Sequence, residues 1–183
     1  DFGTANSCIA FASYNEKANG IVDADPLHRP EVIPFHGRDI IPTALHLGDG
    51  ERQPPTFGRM AEERGAVDPT RLYTGFKLQL GHPDKGKDAY LMAKYFLRYL
   101  RKRAEQYVPL GVESQTERVE TVVGHPVQWS ADQREATMRA AQDAGFPNVR
   151  LEEESLAALY CHVFDERSGF QLKPGSYVLT IDM

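Results

Sequence analysis

The chain has 183 residues, 41% of them hydrophobic and 26% charged, and its 21 basic against 26 acidic side chains give a net charge of −5. That balance leaves no electrostatic footprint for nucleic acid. The composition is that of a globular chain rather than a disordered one, long enough for one substantial core or two small ones.

The chain opens on Asp1-Phe2-Gly3-Thr4-Ala5-Asn6-Ser7 and an apolar run, Cys8 to Ala12. A carboxylate, a glycine and small polar residues before an apolar run read as a tight turn between two strands. Gly3 lets the backbone approach a ligand closely, and successive N–H groups in such a turn form a concavity for phosphate. Asp1 has the chemistry to hold Mg²⁺ through water. The plainer alternative is a hairpin turn with a capping aspartate. Asn19-Gly20 marks a second hairpin, and residues 23–37 read as an irregular loop. Residues 40–47 are strand-like, Asp49-Gly50 is a turn, and residues 57–64 suit a short helix. Residues 72–77 are mixed.

Residues 84–108 form the strongest helix. Ala89, Ala93, Phe96, Leu97, Leu100, Ala104 and Tyr107 make its apolar stripe, and Arg101, Lys102 and Arg103 read as a solvated face. Residues 118–123 are a strand ending at Gly124-His125-Pro126. Ser130 and Gln133 then form a capping box, and the helix it opens stops at Gly145. Residues 149–151 are a short strand. Residues 154–164 are a helix with Leu156, Ala157, Tyr160 and Val163 on one side, and residues 177–181 are a buried strand ending at Asp182. This order is an α/β layer architecture. Cys8 and Cys161, both in apolar surroundings, read as buried free thiols, and the six histidines show no ligand-like pairing. With no leader and no apolar run long enough for a bilayer, a cytoplasmic location without a membrane partner is expected. The chain begins at Asp1 without an initiator methionine, so residues are expected to precede it.

Three carboxylates, Asp1, Glu154 and Asp182, fall at strand ends or a helix start, where ligands sit in open α/β sheets. Lys77 follows an apolar residue in Phe76-Lys77-Leu78. Phosphoryl transfer needs such parts: metal-holding carboxylates, donors around phosphates, a cation, and a residue orienting water.

These stretches together resemble the nucleotide-binding domain of the DnaK-like seventy-kilodalton heat-shock chaperones, within the actin and sugar-kinase superfamily. Asp1 to Ser7 resembles the first phosphate loop, D-L-G-T-T-N-S. Ile41-Pro42-Thr43 resembles T-P-S, and Lys77 stands where that family has the lysine of I-K-R-L-I-G. From Val122 through Pro126 to Thr137 the chain is similar, without a gap, to V-P-A-Y-F-N-D-A-Q-R-Q-A-T. Glu154 then takes the place of Glu in N-E-P-T-A-A, and Asp182 that of Asp in Y-D-L-G-G-G-T. Gly3-Thr4-Ala5-Asn6 and the G-x-P at Gly124 bring the chain nearest the divergent YegD-type branch.

The resemblance implies the first lobe of an actin-like ATPase of ribonuclease-H-like fold: a mixed five-stranded sheet with flanking helices and an inserted subdomain. The core subdomain is 1–38 and 114–183, and the insert, 39–113, carries Lys77 and the long helix. It implies ATP or ADP with Mg²⁺ as cofactors, and unfolded clients and co-chaperones as partners through further domains. Asp1 and Asp182 would hold Mg²⁺ through waters, with Asp182 also catalytic. Gly3, Thr4, Ala5 and Asn6 would contact phosphates, Lys77 the transferred phosphate, and Glu154 the attacking water. Pro126 and Arg134 would relay the nucleotide state. The chain stops at Met183, where the second phosphate loop's glycines are expected, so the lobe alone is expected to be inactive.

Ala5 replaces a threonine that lines the phosphate site. Ser155 replaces the proline after the glutamate, so Glu153 is the alternative for the water-orienting acid. Plainer readings stand beside these: Lys77 as a surface charge, Glu154 as a helix-start acid, Pro126 as a strand-end proline. Other functions are a small-molecule kinase, a nucleotide-controlled filament or assembly protein, and a two-metal nuclease on a similar sheet. The missing basic face and the glycine–threonine turn count against the nuclease.

Overall fold

A computed structural model describes residues 1–12, 15–16, 22–23, 30–50, 53–108 and 119–164. Short strands fill the first third: β1 (Asn6–Ser7), β2 (Ala10–Phe11), β3 (Asn15–Glu16), β4 (Val22–Asp23), β5 (Glu31–Val32), β6 (Ile41–Pro42), β7 (Ala44–His46) and β8 (Thr56–Phe57). Helix α1 (Arg59–Gly65), β9 (Leu72–Thr74), a 3-10 turn (Phe76–Gln79) and the long α2 (Gly86–Ala104) follow. Then come β10 (Thr121–His125), α3 (Ala131–Asp143), β11 (Val149–Glu153) and α4 (Glu154–Phe164).

Strands and helices are mixed, as expected, but the ladders are short. β1 pairs with β6, β2 with β5 and β3 with β4, all antiparallel. β7 is the centre of a three-stranded antiparallel sheet between β8 and β9. β10 and β11 pair in parallel, from Thr121 opposite Val149 to His125 opposite Glu153. A parallel pair needs a crossover, and α3 supplies it. The described residues thus hold no single five-stranded mixed sheet. The strand-like run 40–47 serves two sheets because it breaks at Thr43, where the backbone N–H bonds Ala5 O at 2.8 Å. Pro42 has no N–H to continue a ladder on that edge. The hairpin expected at Asn19-Gly20, the strand at 177–181 and Asp182 all lie outside the described residues, as does the side chain of Cys161. Cys8 is a free thiol and only half-buried.

α2 organises the core. Ala89, Ala93, Phe96, Leu97, Leu100 and Ala104 are buried along it as the stripe requires, joined by Met92. Tyr107 falls past the helix end and is exposed. The helix starts at Gly86 rather than 84 because the His82 ring accepts from the N–H groups of Asp84 and Lys85, at 3.2 and 3.4 Å, and holds them in a turn. Two members of the basic run are only partly solvated: Arg101 pairs with Glu105 at 2.7 Å, and Arg103 donates Nε and Nη2 to Pro34 O at 3.0 and 2.8 Å.

α3 has both halves of its capping box, Ser130 Oγ accepting from Gln133 N and Gln133 Oε1 from Ser130 N. It ends in a Schellman motif, with Gly145 N bonded to Gln142 O and Phe146 N to Ala141 O. Gly145, at φ 93°, supplies the left-handed residue that closure needs. α4 is less amphipathic in place than in sequence. Leu156 is half-buried, Ala157 and Tyr160 are exposed, and the side chain of Val163 lies outside the described set. Among the described residues no helix is long and apolar enough to cross a membrane.

α2 packs on α3. At the far end of that contact Tyr90 Oη donates to Asp143 Oδ2 at 2.8 Å and Lys94 Nζ at 3.2 Å. The Tyr90 hydrogen bond, aided by Lys94, holds the Asp143 carboxyl below its usual range, and burial with the Asp143 contact pushes Tyr90 up to about 12. A lowered carboxyl pKa contributes stability that is present above the ordinary value and lost as pH falls through the folded one. Tyr90→Phe should therefore raise the Asp143 titration midpoint toward the ordinary range and shrink that acid-sensitive contribution. Carboxyl-carbon NMR titration checks it, and an unmoved midpoint would show that Lys94 alone sets the shift.

Candidate active site

Residues 1–8 form a closed turn. Asp1 N donates to Cys8 O at 2.7 Å, Cys8 N to Asp1 O at 2.8 Å, and Phe2 bridges Ser7. At Gly3 an added Cβ would lie 2.1 Å from Asn6 O, so no side chain fits there. A hydroxyl clamp from the β6–β7 junction braces the turn. Thr43 Oγ1 donates its one proton to Gly3 O at 2.8 Å, so the 2.8 Å contact with Ser7 Oγ must be donated by serine. Asp1, Ala5 and Asn6 are exposed on the rim and Gly3 and Thr4 half-exposed, which presents the expected phosphate-contacting stretch to solvent.

Phe2 ties this turn to the next part. Its ring lies 6.3 Å from Phe76 and 6.2 Å from Phe96, a cluster that sets the 3-10 turn of Lys77 beside residues 1–8. Lys77 is no surface charge: it is 1% exposed, the largest fully buried side chain described. Its ammonium meets Glu154 Oε1 at 2.6 Å and faces the rings of Phe2 and Trp129, with centroids 5.6 and 5.2 Å away. A buried ammonium is costly unless paired; here one carboxylate and two aromatic faces replace water.

Glu154 arrives from the carboxyl end of β11, at the first residue of α4, where the helix dipole favours an anion. Its neighbour Glu153 is exposed, so of the two acids it is Glu154 that reaches the lysine. The glycine in the G-x-P stretch has a steric reason: a Cβ on Gly124 would sit 3.0 Å from Glu154 Cγ. Pro126 follows β10 at the same end. Its carbonyl accepts from Trp129 N at 3.2 Å and from His125 Nδ1 at 2.9 Å, which fixes the proton of that ring on Nδ1. Arg134 Nη1 donates to Trp129 O at 2.8 Å. Pro126 and Arg134 are linked through the backbone of Trp129. Two histidines, His46 in β7 and His125 in β10, are buried.

Among the described residues no three His, Cys, Asp or Glu side chains gather as a metal site. Mg²⁺ needs no such cage, since it keeps most of its waters and takes one or two carboxylates. Asp1, exposed at the rim of the turn, fits that water-mediated role.

The chain is similar to DnaK chaperones. Two proteins named chaperone protein DnaK, from two strains of Halobacterium salinarum, are each 27% identical to it over 174 residues, 91% of this chain and 24% of the relative. The chain thus spans about a quarter of the length of the curated relatives it matches. No protein-family model matches it. The match to DnaK covers nearly all of the chain.

Sequence reasoning missed Thr43, Ser7, Phe2 and Trp129. Thr43 was in view as a motif position without a role, and its clamp onto Gly3 is 40 residues distant in sequence. Nothing in the sequence brings Trp129 to Lys77.

Proposed function

We infer that this chain is the first lobe of an ATP-binding, ATP-hydrolysing protein related to the DnaK chaperones, nearest their YegD-type branch. The observation that carries the reading is the Lys77–Glu154 pair at 2.6 Å, beside a glycine turn with a rim carboxylate. Similarity to DnaK over 91% of the chain supports it. The core subdomain is 1–38 and 114–183, with 39–113 inserted, in an actin-like lobe that takes nucleotide, with unfolded clients and co-chaperones as partners through further domains.

In this reading the backbone N–H groups around Gly3, Thr4, Ala5 and Asn6 hold phosphate oxygens. Asp1 and Asp182 would hold Mg²⁺ through water, and the ion would neutralise phosphate charge when bound. The Lys77 ammonium has three donors, so engagement by Glu154 leaves others for a phosphate oxygen. Glu154 accepts from the attacking water and orients it. Pro126 and Arg134 pass the state of the site outward.

Hydrolysis of Mg-ATP by the full-length protein is the test, and absent turnover would discard the ATPase reading. The 183-residue chain by itself should bind Mg-ATP far more weakly than the full-length protein. An open cleft leaves each phosphate contact in high dielectric. Calorimetry that returned equal affinities would show that this lobe suffices.

A further inference from the structure

The geometry points to Trp129 as the positioning residue for Lys77: its indole face steadies the buried ammonium, and its backbone links that ammonium to Pro126 and Arg134. The part of this that concerns turnover rests on the ATPase reading above; the contact itself does not.

Lysine is a compact charge on a flexible four-carbon stem, and a single carboxylate fixes one direction of its head. Trp129, 6% exposed, brings the most electron-rich of the aromatic faces to 5.2 Å from Nζ. Phe2 offers the weaker phenyl face at 5.6 Å and belongs to the phosphate turn, so it steadies the lysine without reaching the relay. Trp129 does reach it. Its N–H goes to Pro126 O, its carbonyl receives Arg134 Nη1, and the His125 ring stacks at 6.5 Å and 18°. A second contact ties the same two pieces. Gly81, at φ 74° just past the Lys77 turn, lies so close to α3 that a Cβ would stand 2.9 Å from Gln133 N. Displacement of Arg134 therefore acts on Lys77 through the indole and through the backbone at Gly81.

The chain has one tryptophan, so fluorinated tryptophans supplied during expression alter this ring alone. Successive fluorines drain its face while nearly preserving its shape. Amine-reactive labelling of Lys77, read by mass spectrometry with Lys94 as internal control, reports how firmly the ammonium is held. We expect Lys77 labelling to quicken stepwise along the series, by about tenfold overall, with Lys94 unchanged. Trp129→Phe should keep most of the protection and Trp129→Leu lose it. Arg134→Ala should also quicken Lys77 labelling, and less so when the ring is already fluorinated. A flat fluorine series overturns the ring–ammonium contact, and an unaltered Lys77 rate in Arg134→Ala overturns the link to the relay. In the full-length protein Trp129→Phe should lower kcat slightly and Trp129→Leu should lower it more, with KM held. Graded labelling with flat kcat removes the catalytic consequence. Graded labelling with no ATP turnover even from unlabelled protein leaves Trp129 in place and discards the ATPase reading instead.

Discussion

Removing the Glu154 carboxylate is expected to destabilise the fold by about 3–5 kcal/mol, because it strands a buried charge. The two partners are not equivalent. Lys77 has a side chain 2% exposed, whereas that of Glu154 is 24% exposed. Without Glu154 the buried ammonium keeps only two aromatic faces. Without Lys77 the carboxylate is near enough to solvent to hydrate. Glu154→Ala should thus lower the melting temperature by roughly 6–20 °C, at about 2–4 °C per kcal/mol for a chain of this size. Lys77→Met, which keeps the stem's volume and removes the charge, should cost clearly less. Thermal and urea unfolding of both variants decides it. A Lys77→Met chain less stable than Glu154→Ala would mean that the lysine stem, not the charge pair, holds the two segments together.

Alanine at Lys77 is expected to slow ATP turnover by the full-length protein about 10²–10³-fold, with a much smaller effect on ATP affinity. In phosphoryl transfer the protein chiefly positions groups and stabilises charge on the moving phosphate. An ammonium preorganised by Glu154 and two rings needs little rearrangement when that charge develops. Glu154→Gln should also slow turnover, because a neutral amide is a weaker acceptor for water. Glu153→Gln, on the exposed neighbour, should be nearly silent. Single-turnover hydrolysis separates the cases. Normal turnover in Lys77→Ala removes the lysine from the chemistry, and a slow Glu153→Gln beside a normal Glu154→Gln moves the acid by one residue.

Local signals were legible where short-range rules decide the outcome. The capping box at Ser130, the stop at Gly145 and the buried stripe of α2 follow from hydrogen-bond needs and helical spacing within a few residues. The glycine turn read correctly because Gly3 answers a local steric demand. Sheet order did not read so well. Residues 40–47 are uniformly strand-like, and nothing among them announces that Thr43 turns its N–H to Ala5 and divides the run between two sheets. The start of α2 shifted because His82 caps the preceding turn, a use of histidine that composition does not reveal. In the site, the residue types at 77 and 154 were recognisable, but their contact spans 77 positions. The burial of Lys77 depends on Phe2 and Trp129 meeting from opposite parts of the chain.

The clamp that Thr43 places on residues 1–8 bears on the thermodynamics of filling that turn. Fixing a residue's backbone costs about 1–2 kcal/mol in lost freedom, so ordering a four-residue loop around a ligand would cost about 4–8 kcal/mol. Here Thr43 and the paired amides of Asp1 and Cys8 have met that cost during folding. On the function proposed above, a phosphate settling there would meet a turn already ordered, and little of its binding enthalpy would be offset by loss of loop entropy.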